Sequence, residues 1–212
     1  MTAYQPIIDA LLACDQDQVT TLVRAALDDG ADANQILNQG LIAGMDIVGE
    51  RMESGDMFIP EVLMAAQAMS AAVEILKPLL TEDGANAKGR VVIGTVKGDL
   101  HDIGKNLVAM MMESAGLEVS DLGVDVAPEK FLAAIEEKNA NILCMSALLT
   151  TTMPIMRQTI QAVTDKGLRD RVKIMVGGAP VSQAYAREIE ADAWAPDAGA
   201  AAKAAKALLS SA

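Results

Sequence analysis

Arg90-Val91-Val92-Ile93-Gly94-Thr95-Val96 runs directly into Lys97-Gly98-Asp99-Leu100-His101-Asp102-Ile103-Gly104. The first seven residues form a short continuous apolar run, the pattern of a strand buried on both faces. The next eight carry the chain's only histidine between two aspartates and two glycines. A strand that ends in such a loop sets an imidazole at the carboxyl edge of a sheet, where open α/β folds bind ligands. Asp99, two residues before His101, is placed to accept a hydrogen bond from one ring nitrogen and leave the other for a metal. By itself the segment reads more readily as a polar turn between a strand and a helix.

Downstream of this strand, apolar runs alternate with amphipathic stretches. Strands are expected at Leu117 to Leu122, Asn141 to Ser146 and Val172 to Val176, with a weaker fifth near Ala191 to Ala195. Helices are expected over Lys105 to Ala115, Pro128 to Lys138, Thr152 to Lys166, Ser182 to Glu190 and Ala198 to Leu209. Short apolar runs interleaved with helices predict a five-stranded, doubly wound parallel sheet of flavodoxin-like (Rossmann-like) order.

Upstream, the period is helical throughout. Leu37, Leu41, Gly44, Met45, Val48 and Met52 share one face, as do Ile7, Ile8, Leu11 and Leu12. Further faces run through Val19, Leu22, Val23, Ala26 and Leu27, and through Val62, Met64, Ala65, Met69, Val73 and Leu76. Gly30 and Ser54-Gly55-Asp56 end helices, and Pro60 opens one. Four short-linked helices predict a four-helix bundle cap over residues 1–85, followed by the sheet domain over 86–212, with the polar stretch Thr81 to Gly89 as linker.

Composition narrows the partners. The chain is 51% hydrophobic but only 2% aromatic, with 13 Met, so its core is aliphatic and it lacks stacking platforms for bases. A formal charge of -12 repels phosphate backbones and anionic lipid, which argues against nucleic acid and membrane partners. Cys14 and Cys144 lack any metal or disulfide spacing, which fits a reducing compartment. No basic-then-apolar leader is visible at the amino terminus, and no stretch is expected to span a membrane, so a cytoplasmic protein is expected.

Two further loops sharpen the reading of the histidine. After the third run comes Ser146-Ala147-Leu148-Leu149-Thr150-Thr151-Thr152, and after the fourth comes Gly177-Gly178. Each alone reads as a helix N-cap or a tight turn. Together with the histidine loop, they resemble the cobalamin-binding family whose signature is DxHxxG, then SxL, then GG: Asp99, His101 and Gly104, then Ser146 and Leu148, then Gly177 and Gly178. The preceding cap, with Gly-Asp-Met-Phe-Ile-Pro at 55–60, is similar to that of the methionine synthase cobalamin module. The resemblance is closest to the cognate corrinoid proteins of methylamine, methanol and methoxy-compound methyltransferase systems.

The resemblance implies a cobalamin cofactor, methylcobalamin or a related corrinoid, with His101 as the lower ligand of cobalt and Asp99 bonded to its other nitrogen. The family usually completes this relay with Ser where this chain has Thr152. Gly98, Leu100, Asp102, Ile103 and Gly104 then line the corrin ring. Ser146 and Thr150 contact the nucleotide tail, Leu148, Gly177 and Gly178 make room for it, and Ala198 closes its pocket. A side chain at Gly178 is thus expected to crowd the tail while sparing the apo fold. Met52, usually Phe in the family, and Ile59 match positions that shield the upper face of cobalt, and bundle core is their plain alternative.

The implied function is carriage of a methyl group on cobalt from a substrate-specific methyltransferase to a second methyltransferase, with a reductive activase as a further partner and no substrate site of the chain's own. Two other classes share parts of this pattern. The cobalamin subunit of an adenosylcobalamin-dependent mutase generally lacks the cap. A cobalamin sensor needs a basic DNA-reading module, which this sequence does not contain.

Overall fold

The computed structural model describes residues 3–79 and 89–210. They fall into two compact units, one drawn from Met1–Ala87 with Ser114–Gly116 and the other from Lys88–Glu113 with Leu117–Ala212. Apart from Gly89, the expected linker lies outside the described residues, as does the expected boundary at 85/86.

The first unit is built from α1 (Gln5–Leu12), α2 (Gln16–Asp28), a continuous rod and α5 (Ile59–Leu76). The rod comprises α3 (Ala33–Gln35), a π-helical stretch (Ile36–Ile42) and α4 (Ala43–Ser54). Asp15 caps α2 by accepting from the Gln18 N–H at 2.9 Å, and Gly55 ends the rod in the left-handed conformation, φ +82°. Pro60 sits in the first turn of α5, as the sequence predicts.

The π stretch alters one expected face. Its i→i+5 pattern adds a residue to the turn, so the buried stripe enters at Ile36 and continues through Gly40, Leu41, Gly44, Met45 and Val48, while Leu37 is only half-buried. Both glycines lie against α1. A Cβ on Gly44 would approach Leu11 Cδ1 to 2.8 Å, and one on Gly40 would approach the Tyr4 side chain to 3.3 Å.

In α5 the stripe is Val62, Ala65, Ala66, Met69, Ala72 and Leu76, packed on α1, α2 and α4. Met64, expected on that face, points away and is exposed. Contrary to expectation, α5 is by length and composition long and apolar enough to cross a membrane, with 18 residues and mean hydropathy 1.4. It packs a small-residue stripe against α2 within the bundle.

The second unit carries β1 (Arg90–Thr95), α6 (Ile103–Ser114), β2 (Glu118–Asp121), α7 (Pro128–Glu137), β3 (Ile142–Ser146), α8 (Met153–Asp165), β4 (Lys173–Gly177), α9 (Gln183–Glu188), β5 (Ala193–Trp194) and α10 (Ala198–Ser210). The sheet is all parallel with order β2-β1-β3-β4-β5, the flavodoxin-like order. Val92, Leu143, Met145, Ile174 and Val176 pack with Phe131, Met156 and Ile160 of α7 and α8. Their neighbours Val91, Ile93, Ile142, Cys144 and Met175 are equally buried, and strand alternation puts these on the opposite face, that of α6 and α10.

One row of the register positions the site. Thr95 pairs with Ser146, and Ser146 pairs with Gly177, so β1, β3 and β4 all end at the same level. The three loops that carry the sequence signature therefore leave one edge of the sheet side by side.

Candidate functional site

Asp99 is the hub of this edge and is fully buried. Its Oδ1 lies 2.7 Å from His101 Nδ1 and accepts from the His101 N–H at 3.1 Å. Its Oδ2 accepts from the Leu148 N–H at 2.7 Å, the Leu149 N–H at 3.3 Å and the Thr152 hydroxyl at 2.8 Å. Burial raises the carboxyl's pKa, but the His101 ring, the Leu148 and His101 amides and the Thr152 hydroxyl outweigh it and hold the group well below the usual carboxylate range. Asp99 is thus an anion at neutral pH, and it fixes Nδ1 of the imidazole as the donor.

Residue 152 stands at the N-cap of α8, yet its hydroxyl makes no capping bond. It faces Asp99 instead, with the Leu149 carbonyl 2.9 Å away as a second acceptor. Having one proton, it serves the carboxylate in preference. Functional placement therefore overrides the capping reading of the threonine run.

The His101 side chain is about half exposed (52%), and Nε2 has no partner among the described residues. Around it lie exposed apolar groups that no core has claimed: Leu100 (71%), Ile103 (79%), Leu148 and Leu149. A Cβ on Gly104 would meet nothing within 4 Å. An open, apolar edge with one imidazole nitrogen presented fits a flat metal-bearing macrocycle.

The two glycines do different work, and this corrects the expectation for Gly178. It adopts φ +122°, and a Cβ there would overlap the backbone oxygen of Ala147, so a side chain at this position would strain the fold itself. Gly177 has no such constraint, since a Cβ would lie 3.6 Å from the Ala195 carbonyl. Gly177 thus leaves room for a side chain, whereas Gly178 lets the loops after β3 and β4 approach.

Ser146 is half-buried and Thr150 is exposed, and neither hydroxyl has a partner among the described residues. Ala198 is buried at the start of α10, whose N-terminus is capped by Asp197 accepting from the Ala200 N–H at 2.8 Å. Asp102 is exposed and accepts from the Asn106 side chain at 3.2 Å. In the first unit, Ile59 is 47% exposed and Met52 is half-buried, so bundle core does not account for Ile59.

Sequence reasoning missed four supporting groups. The Leu148 and Leu149 amides act through their backbone, which no side-chain pattern reveals. Asp125, in the left-handed region at φ +54°, accepts from the Gly98 N–H at 2.7 Å and donates its own N–H to the Asp99 carbonyl at 3.0 Å. Thr95 donates its hydroxyl to the His101 carbonyl at 2.8 Å. The signal for Thr95 was a hydroxyl in an otherwise apolar strand.

Comparison with known proteins agrees with this geometry. Two models described as B12 binding domain match, over residues 89–208 and 3–77. Dimethylamine corrinoid protein 1 of Methanosarcina acetivorans is 46% identical over 97% of this chain and 96% of its own length. The crystal structure of a cobalamin-binding protein from Desulfitobacterium hafniense superposes with TM-score 0.83 at 34% identity, covering 95% of this chain and 96% of that one. The methanol:cobalamin methyltransferase complex of Methanosarcina barkeri gives TM-score 0.84 at 32% identity, covering 98% of this chain and 79% of the matched one. With matched domains spanning both units and a half-exposed imidazole backed by a buried carboxylate, the chain belongs to the corrinoid proteins of methyl transfer, methyl carriers that bind cobalamin.

Proposed function

We propose that His101 Nε2 is the lower axial ligand of the cobalt, and that the methyl group is received from a methyltransferase specific for a methylated amine and passed to a second methyltransferase in the cytoplasm. The observation that carries the ligand assignment is the imidazole itself, with Nδ1 held by an ionised, buried Asp99 and Nε2 left to the open edge. Bound cobalamin supplies a metal that takes up and releases a methyl group.

The chain's own residues do the rest. Asp99 holds the imidazole in one tautomer, and Thr152 steadies Asp99. Leu100, Asp102, Ile103 and Gly104 line the ring beside Gly98. Ser146 and Thr150 offer their hydroxyls to the nucleotide tail, with Leu148 and Ala198 at its sides and Gly177 leaving it space. Similarity to a dimethylamine corrinoid protein makes dimethylamine the first donor to test.

Protein grown with ¹⁵N-histidine and loaded with cobalt(II) cobalamin should show a histidine nitrogen coupled to cobalt in electron paramagnetic resonance. Coupling to the benzimidazole nitrogen overturns the assignment. Methyl transfer from dimethylamine, trimethylamine, a betaine, methanol and an aryl methyl ether, each with its methyltransferase, ranks the donors. Transfer from methanol alone would overturn the amine reading.

A further inference from the structure

The buried hydroxyl of Thr95 contacts the backbone of the imidazole-bearing residue, and nothing in the family signature requires it. Thr95 is fully buried at the last position of β1 and is immobilised on both sides. Its N–H donates to the Gly123 carbonyl at 2.9 Å, its carbonyl accepts from the Val126 N–H at 3.0 Å, and it pairs in register with Ser146. From this fixed point the hydroxyl reaches over the loop to the His101 carbonyl at 2.8 Å.

The same loop is held elsewhere as well. Asp125 takes the Gly98 N–H at 2.7 Å, and Asp99 Oδ1 takes the His101 N–H at 3.1 Å. His101 is thereby gripped at both its N–H and its C=O, one grip from the loop itself and the other from the sheet. Of these, only Thr95 ties the residue directly to a strand.

We infer that Thr95 is a positioning residue for the axial ligand: it anchors the His101 main chain to the sheet so that the imidazole alone moves when the metal is bound or released. This inference rests on His101 being the ligand. Ordering the backbone beforehand lowers the entropy lost when Nε2 engages the metal. Threonine suits the role because it is fully buried at the strand end while its hydroxyl reaches the loop. Valine keeps the shape and removes the donor, and serine keeps the donor.

The test uses the full chain as wild type, Thr95→Val, Thr95→Ser and His101→Ala, each loaded with cobalt(II) cobalamin. The fraction showing histidine-nitrogen coupling is read by electron paramagnetic resonance, and amide exchange of residues 98–103 is read in the apo-protein. Thr95→Val should bind cobalamin but lose about fivefold in the equilibrium constant for nitrogen ligation, the equivalent of one net hydrogen bond. Its loop amides should exchange faster, and Thr95→Ser should restore both. If Thr95→Val does not fold, Thr95→Ala takes its place in the comparison with Thr95→Ser. Unchanged ligation and exchange in the donor-less variant overturn the inference, as does equal loss in Thr95→Ser. Wild type lacking histidine coupling, with His101→Ala identical to it, would instead overturn the ligand assignment.

Discussion

Asp99 shows how far one buried carboxylate depends on its donors. Its folded pKa lies below the ordinary value of 3.8, so the stability it contributes is fully present above that pH and is lost as pH falls beneath it. Asp99→Asn should cost on the order of 2 kcal/mol at neutral pH, and the gap in melting temperature to wild-type apo-protein should narrow below pH 3.8. A gap independent of pH would show that the carboxylate charge is not what stabilises the loops. The glycine pair gives a second residue-level contrast. Gly178→Ala, which drives a Cβ into the Ala147 backbone, should lower apo stability by about 3 kcal/mol or more. Gly177→Val should leave the apo-protein intact and weaken cobalamin binding by about 1–3 kcal/mol. Calorimetry on apo-protein and cofactor titration separate the two.

At the scale of elements, α6 is tied to β2 by a buried cation. Lys105 is almost wholly buried, donating to Asn106 Oδ1 at 2.6 Å and paired with Asp121 at the end of β2. Removing Asp121 strands a buried ammonium, whereas removing Lys105 leaves a carboxylate that water can reach. Asp121→Ala should therefore cost about 3 kcal/mol and Lys105→Met less than half of that, measured by urea unfolding. The reverse order would mean the pair is not a buried one. These elements were legible because each apolar run was short and bounded by turn residues, and all five strands and five helices of the sheet unit lie within a few residues of their expected places. The π stretch was not legible, because Ile36, Leu37, Leu41 and Ile42 satisfy either helical period until packing against α1 selects one. At the site, side chains with distinctive chemistry were readable, but the Leu148 and Leu149 amides act through backbone geometry that composition does not encode, and the Asp125 carboxylate reaches Gly98 from a loop 27 residues away in sequence.

At the scale of the whole molecule, the cofactor links stability to occupancy. Cobalamin at a hundredfold over its dissociation constant should add about 2.7 kcal/mol, with new amide protection at the loops after β1, β3 and β4. Protection confined to the bundle would contradict a site at the sheet edge. The charge of -12 further implies that polyanions are repelled from the molecule as a whole. The solitary histidine has a practical corollary as well. Since the chain contains one imidazole, with Nδ1 engaged by Asp99 and Nε2 unpartnered among the described residues, an untagged sample gives a single imidazole spin system in a ¹H–¹⁵N spectrum. That resonance is a built-in reporter: its Nε2 shift can be followed during turnover, without added labels on any partner, to time each engagement of the site.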